Sequence, residues 1–168
     1  MISPVDTEAL LPIAESLIDG FYSFDGVRLE QALASAWDSN ESLLYYQGWA
    51  EGGNHEIVER KHCAVKSSNI VSCPITVKDD LMLALAVDFF VTDTFEIIFE
   101  DRRVSSVETS SNDLPIYYQA RDWVRANMPE LIAQPCKGFF AGGSTPGDCA
   151  QAMAEGYRHL TASDAYPR

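Results

Sequence analysis

Apolar residues recur at helical spacing in the first half of the chain and run together or alternate in the second. Leu10, Ile13, Ala14, Leu17, Ile18 and Phe21 form one stripe, which predicts a helix over 4–23. Ser3 before Pro4, with Asp6 three places on, is a start signal for it. Asp25 is an N-cap for a second helix with the apolar face Leu29, Ala32, Leu33, Ala36 and Trp37, and 38–42 is the turn that ends it. The aromatic-rich run 43–49 reads as a strand. A third, weaker helix is predicted over 55–66, after the loop at Gly52, Gly53 and Asn54. Pro74 makes 69–77 an edge strand. Then come strands over 81–91 and 95–100, joined by a turn at 92–94. A turn at 101–103 leads into a strand over 104–109. The tail returns to helices: 115–127, with Ile116, Ala120, Trp123 and Val124 on one face, a break or restart at Pro129, and 146–160, with Cys149, Met153, Gly156, Tyr157 and Leu160 on one face.

At 168 residues the chain has the size of one ordinary domain, and without repeats or linkers it reads as a single domain over 1–168. A chain of this length buries roughly 70% of its unfolded surface, enough for a real core. The net charge is −13 with no basic cluster, so phosphate backbones and anionic membrane surfaces are excluded as partners. No apolar run reaches the length of a membrane span, and the acidic amino terminus lacks the positive region of a secretory signal; a cytoplasmic protein is expected. Cys63, Cys73, Cys136 and Cys149 form no Cys-x-x-Cys pair, and the three histidines have no ligand spacing, so neither a metal site nor a cofactor is expected. Cys136 and Cys149 flank a glycine-rich loop whose ends can meet in a disulfide; a reducing cytoplasm favours two buried thiols. That loop, through Gly142, Gly143, Ser144 and Thr145, opens a helix but lacks the lysine and preceding strand of a phosphate loop.

Residues 17–29 (Leu-Ile-Asp-Gly-Phe-Tyr-Ser-Phe-Asp-Gly-Val-Arg-Leu), Ala36-Trp37-Asp38 and the hairpin over 94–107 resemble the nuclear transport factor 2-like superfamily, which includes SnoaL-like, ketosteroid isomerase-like and lumazine-binding-like proteins. The hairpin departs from the pattern, with Arg102 or Arg103 where a glycine is usual. The match covers about 8–110 and leaves 111–168 as a helical extension. The resemblance implies an α+β fold of the cystatin-like kind. A cone-shaped, antiparallel or mixed sheet would pack on the amino-terminal helices and enclose a pocket, and the protein would be a homodimer through the outer sheet face.

The superfamily's isomerases use an acidic base after the second helix, a tyrosine from the first helix and an acid on the sheet. Tyr22 matches the tyrosine, but Tyr45 and Tyr46 occupy the base region, so that machinery is not carried over. Val58, His62 and Val65 share a stripe of the predicted third helix, and imidazole is the side chain most used for acid–base work. Its plain reading is a hydrogen-bonded helix histidine; its functional reading is a base, with Tyr22 or Tyr46 as donor. Tyr22, Tyr45, Trp49, His62 and Phe89 are the candidate ligand-binding set, apolar walls with a few polar tips, against the alternative of simple core packing. Strand alternation turns the bulky residues of 81–91 and Phe95, Ile97 and Phe99 inward, and Asp88, Glu96 and Glu100 outward. The expected function is cofactor-free binding of a small apolar or cyclic molecule. The alternatives are an isomerase, dehydratase or cyclase working by general acid–base catalysis, and a structural or interaction dimer whose cone is filled.

Overall fold

The structure is a computed structural model, and it describes residues 4–37, 40–137 and 146–167, with the side chains of Pro4 and Val5 left aside. The fold is α+β. Helices α1 (Pro4–Glu8), α2 (Leu10–Tyr22), α3 (Gly26–Leu33) and α4 (Glu41–Gly52) precede strands β1 (Glu56–Arg60), β2 (Ala64–Ser67) and β3 (Ile70–Lys78). Helix α5 (Asp80–Ala84) leads to β4 (Val91–Glu100) and β5 (Arg103–Ser111). Helices α6 (Pro115–Asn127), α7 (Pro129–Ala133) and α8 (Pro146–Ala162) follow. The five strands form an open antiparallel sheet in the order β1-β3-β4-β5, with β2 also paired to β3.

The chain divides into two compact units. The first holds 1–47, 59–76 and 92–111, and the second holds 48–58, 77–91 and 112–168. In the first unit α2 buries Leu10, Ala14, Leu17, Ile18 and Phe21, while Val71, Cys73, Ile75, Phe95, Ile97 and Phe99 alternate inward from β3 and β4. The Phe21 ring meets the Phe95 ring edge-on at 5.0 Å, which ties helix to sheet. Asp25 caps α3 as expected, accepting from the amides of Val27 at 3.0 Å and Arg28 at 3.3 Å. In the second unit Leu81, Met82, Leu85, Val124, Met153, Tyr157 and Leu160 belong to one buried cluster. The tail helices follow the predicted ranges closely, and the predicted buried face of α8 is the observed one.

Four segments differ from the sequence-based expectation. The predicted helix over 4–23 breaks at Ala9 because Pro12 lacks an N–H and its ring would crowd the Glu8 carbonyl. Residues 43–49 are helical: Leu43, Gln47 and Ala50 are buried at i, i+4 and i+7, a period hidden by a glutamine in an aromatic run. The predicted helix over 55–66 is instead β1 and β2, whose residues are all exposed and so carry no clear period. The predicted strand over 81–91 is α5 and a turn. Asp79 starts the helix by accepting from the Met82 amide at 3.0 Å, and Ala86, at a φ of 55°, turns the chain. Leu83 is consequently half exposed, not inward, and Met82 is buried.

Two expectations about the sheet are also corrected. Residues 92–94 are not a turn but part of β4, and Pro74 lies in a strand with neighbours on both sides. Ala64 pairs with Ser72, and continuing that register would bring the strand-free link at 61–63 opposite Cys73 and Pro74. Pro74 has no N–H for a ladder there. The Cys63–Cys73 disulfide joins the chain at that gap, and Glu15 accepts from the Cys63 amide at 2.7 Å. Cys136 and Cys149 are also bonded, so the two-thiol reading does not hold. The glycine-rich anion reading at 142–145 lies outside the described residues.

Candidate functional site

Helix α2 ends at Tyr22 because the chain turns at Phe24, whose φ of 54° no helix continues. That turn is held by Gln47, which is 3% exposed and sits on α4. Its Nε2 donates to the carbonyls of Phe21 at 3.0 Å, Gly20 at 3.2 Å and Asp25 at 3.3 Å. One helical position before Gln47 is Tyr46. The two tyrosines are thereby brought beside Phe95 on β4, with ring centroids 6.1 Å from it in each case. Phe24 lies 6.3 Å from Tyr22, and Phe21 packs against both tyrosines at 4.9 and 5.1 Å.

The polar centre of this aromatic group is Asp93, two residues before Phe95 on the same inward face and 2% exposed. Ser111, the last residue of β5 and the cross-strand partner of Asp93, donates its hydroxyl to the carboxylate. The Tyr46 hydroxyl is hydrogen-bonded to Asp93 and lies within reach of Ser111. The Tyr22 hydroxyl is buried and makes no hydrogen bond among the described residues. Burial first, and then the charge of Asp93, push the Tyr22 hydroxyl far above the ordinary phenol range; the Arg60 charge opposes this. Tyr46 moves the same way, again chiefly through burial and then Asp93. Both phenols therefore stay protonated as hydrogen-bond donors at neutral pH. A buried acid, two protonated tyrosines and aromatic walls can orient a small ring-bearing molecule through one polar group.

Of the residues singled out from the sequence, Tyr22 and Tyr46 come together and His62 does not join them. His62 lies in the link between β1 and β2, fully exposed, with Nδ1 3.9 Å from Glu15. Tyr45 is half-buried on α4. Trp49 and Phe89 pack against the buried cluster of the second unit. Glu96 and Glu100 point outward as expected, Glu96 as the partner of Lys66, whereas Asp88 is exposed in a bend and not on the face of a strand. Asp93 was hidden by the turn assignment. The signal for it was available, since the alternation Phe95, Ile97, Phe99 extends backward to Asp93 and Val91. Among the described residues, no group of three or more His, Cys, Asp or Glu is arranged to hold a metal.

These features define an α+β protein with a buried acid–tyrosine centre in its helix-and-sheet unit. Comparison with protein-family models, with curated proteins and with solved structures finds no match for the chain. No helix of the described residues is long and apolar enough to cross a membrane.

Proposed function

We propose that the first unit is a variant of the nuclear transport factor 2-like fold, a curved sheet covered by the leading helices, and that it binds a small, largely apolar cyclic molecule at Tyr22, Tyr46 and Asp93. The observation that carries this is the Tyr22 hydroxyl, buried among rings with no hydrogen-bond partner among the described residues. A buried polar group left unmade costs about 1–3 kcal/mol, and a ligand that meets it recovers that amount. The pairing of a tyrosine from α2 with an acid on the sheet supports the family reading. The helix at 41–52, where the family places a strand, is the departure from it.

The test is titration calorimetry with 2-phenylethanol, a ring bearing one hydroxyl. Saturable binding is expected, weakened about five- to tenfold in Tyr22→Phe, the worth of one hydrogen bond. Absence of binding up to the millimolar range would remove the proposal. A second reading, general acid–base catalysis, passes from the exposed His62 to Asp93, which stands beside two phenolic donors. Homodimerisation through the outer sheet face, or a purely structural dimer, is decided by sedimentation. The two disulfides favour an oxidising compartment over the expected cytoplasm, because paired cysteines persist where thiols are not kept reduced.

A further inference from the structure

We propose that the free edge of β5, from Val107 to Ser111, takes an extended basic segment of another protein as an added strand, with a lysine or arginine of that segment set against Glu108. The inference does not depend on the binding reading above.

Three observations carry it. The first is the direction of the backbone groups. β5 stands last in the strand order, so one of its sides has no strand beside it. The Val107 amide donates to the Asn40 side-chain carbonyl at 3.0 Å and so points away from β4. Directions alternate along an antiparallel strand, so the amides and carbonyls of Thr109 and Ser111 point to that same side. Residues 108–111 are exposed, and these edge-facing groups make no hydrogen bond among the described residues. Such a row is a template for another chain. Second, the edge already takes an amide. The Asn40 side chain also donates from Nδ2 to the Ser105 carbonyl at 3.2 Å, so it covers 105–107 as one residue of a neighbouring strand would. Beyond it, 108–111 are left uncovered. Third, the charges on the outer face are unbalanced. Glu96 on β4 and Glu108 on β5 stand directly opposite each other, and like charges so placed repel. Lys66 reaches Glu96 from β2, the side away from β5, while Glu108 has no ion pair among the described residues. A strand added at the edge sets a residue directly beside Glu108 on the outer face, and a cation there answers the charge that β4 cannot. The chain's net charge of −13 draws a basic partner and resists a second copy of itself.

The experiment follows the backbone amide signals of the intact, isotope-labelled protein by NMR as the blocked peptide acetyl-Thr-Lys-Val-Lys-Thr-amide is added. With its valine opposite Thr109, both lysines lie on the outer face, beside Glu108 and Ser110. Saturable shifts centred on the Thr109 and Ser111 amides are expected. N-methylation of the valine removes one donor and keeps both charges, and should weaken binding about tenfold, the worth of one hydrogen bond. The same peptide with glutamate for both lysines should not bind. Glu108→Gln should weaken the lysine peptide about two- to fivefold. Thr109→Pro removes an amide that faces away from β4, a place where a strand tolerates proline, and should weaken it about tenfold or more. The two lysine peptides on the wild-type protein decide the matter even where Thr109→Pro does not fold. If the N-methyl peptide binds as tightly as its parent, or a folded Thr109→Pro binds unchanged, plain attraction to the acidic surface explains the shifts and the inference falls. It falls equally if no saturable shift appears at these amides up to the millimolar range. If the same amides move with protein concentration alone, the edge pairs with a second copy and the basic partner is overturned.

Discussion

Gln47→Met tests the joint on which the site depends. The buried Gln47 amide nitrogen donates toward three carbonyls, those of Gly20, Phe21 and Asp25, and so spans the turn that carries Tyr22, Ser23 and Phe24. An amide group has two hydrogens, so no more than two of the three bonds are strong at once. None of the carbonyls is orphaned when the amide goes. Gly20 still accepts from the Ser23 hydroxyl at 2.6 Å, Phe21 from the Phe24 amide at 3.2 Å and Asp25 from the Leu29 amide at 3.1 Å. The loss is therefore two net hydrogen bonds, about 2 kcal/mol, not the larger penalty of buried unpaired acceptors. Methionine fills nearly the same volume, which keeps any packing cost under about 1.5 kcal/mol. Urea unfolding followed by circular dichroism should report a loss of about 2–3 kcal/mol, with ring-alcohol binding weakened because the Phe24 turn loosens. A change below about 0.5 kcal/mol would show that the three contacts do not hold the turn.

Three further predictions concern the frame. Replacing Cys63 and Cys73 together by serine opens a link across a sequence separation of 10 and should cost about 3 kcal/mol by loop entropy. Protein from an oxidising compartment should show no free thiol in denaturant before reductant is added; four titratable thiols would refute the pairing. Gly52→Ala should destabilise by about 3 kcal/mol, because its methyl would lie 2.2 Å from the Gly147 carbonyl oxygen, a backbone atom that cannot swing aside. Gly20→Ala meets nothing nearer than 3.5 Å and should stabilise by about 0.5–1 kcal/mol, so thermal melts of the pair check the reading. Burial raises the Asp79 carboxyl above its ordinary range, with Asp80 adding to the effect and the Met82 and Leu81 amides opposing it. The native state then holds its proton to higher pH than the unfolded chain, so this group's contribution to stability falls as pH rises above about 4. Asp79→Asn keeps the cap, and its gain over wild type should grow from pH 3 to pH 7; an equal gain at both would sink the argument.

The tail was readable because its helices carry strong punctuation, Pro115, Pro129 and Pro146 at helix starts, and a clean buried face from Cys149 to Leu160. Strands β4 and β5 were readable in their second halves, where the alternation of Phe95, Ile97 and Phe99 with polar residues is unbroken. Three segments were not, each for a definite reason. An apolar run such as 81–87 satisfies a strand or a buried helix equally; the Asp79 cap decides between them by satisfying the first-turn amide of Met82. In 43–49 one of the helix's inward positions is Gln47, polar because it serves the turn and not the core. In 56–67 both faces are exposed, so neither period could show.

The candidate site was half legible for the same reason. Its aromatic members announce themselves by type, and Tyr22 and Tyr46 were found from a resemblance and from composition. Its centre is an acid at a core position, where an alternation rule built on apolar residues expects a hydrophobe and reads Thr92-Asp93-Thr94 as a turn. The cost of burying that acid is what makes it informative. A buried acid group at 2% exposure persists only with hydrogen bonds, and Ser111 and Tyr46 supply them from β5 and α4. If the acid served stability alone, a hydrophobe of similar volume would be neutral or better, as with buried charged groups generally. Asp93→Leu thus separates the two roles. A variant as stable as wild type that no longer binds 2-phenylethanol would assign Asp93 to the ligand. A variant that binds unchanged would return the whole aromatic group to core packing.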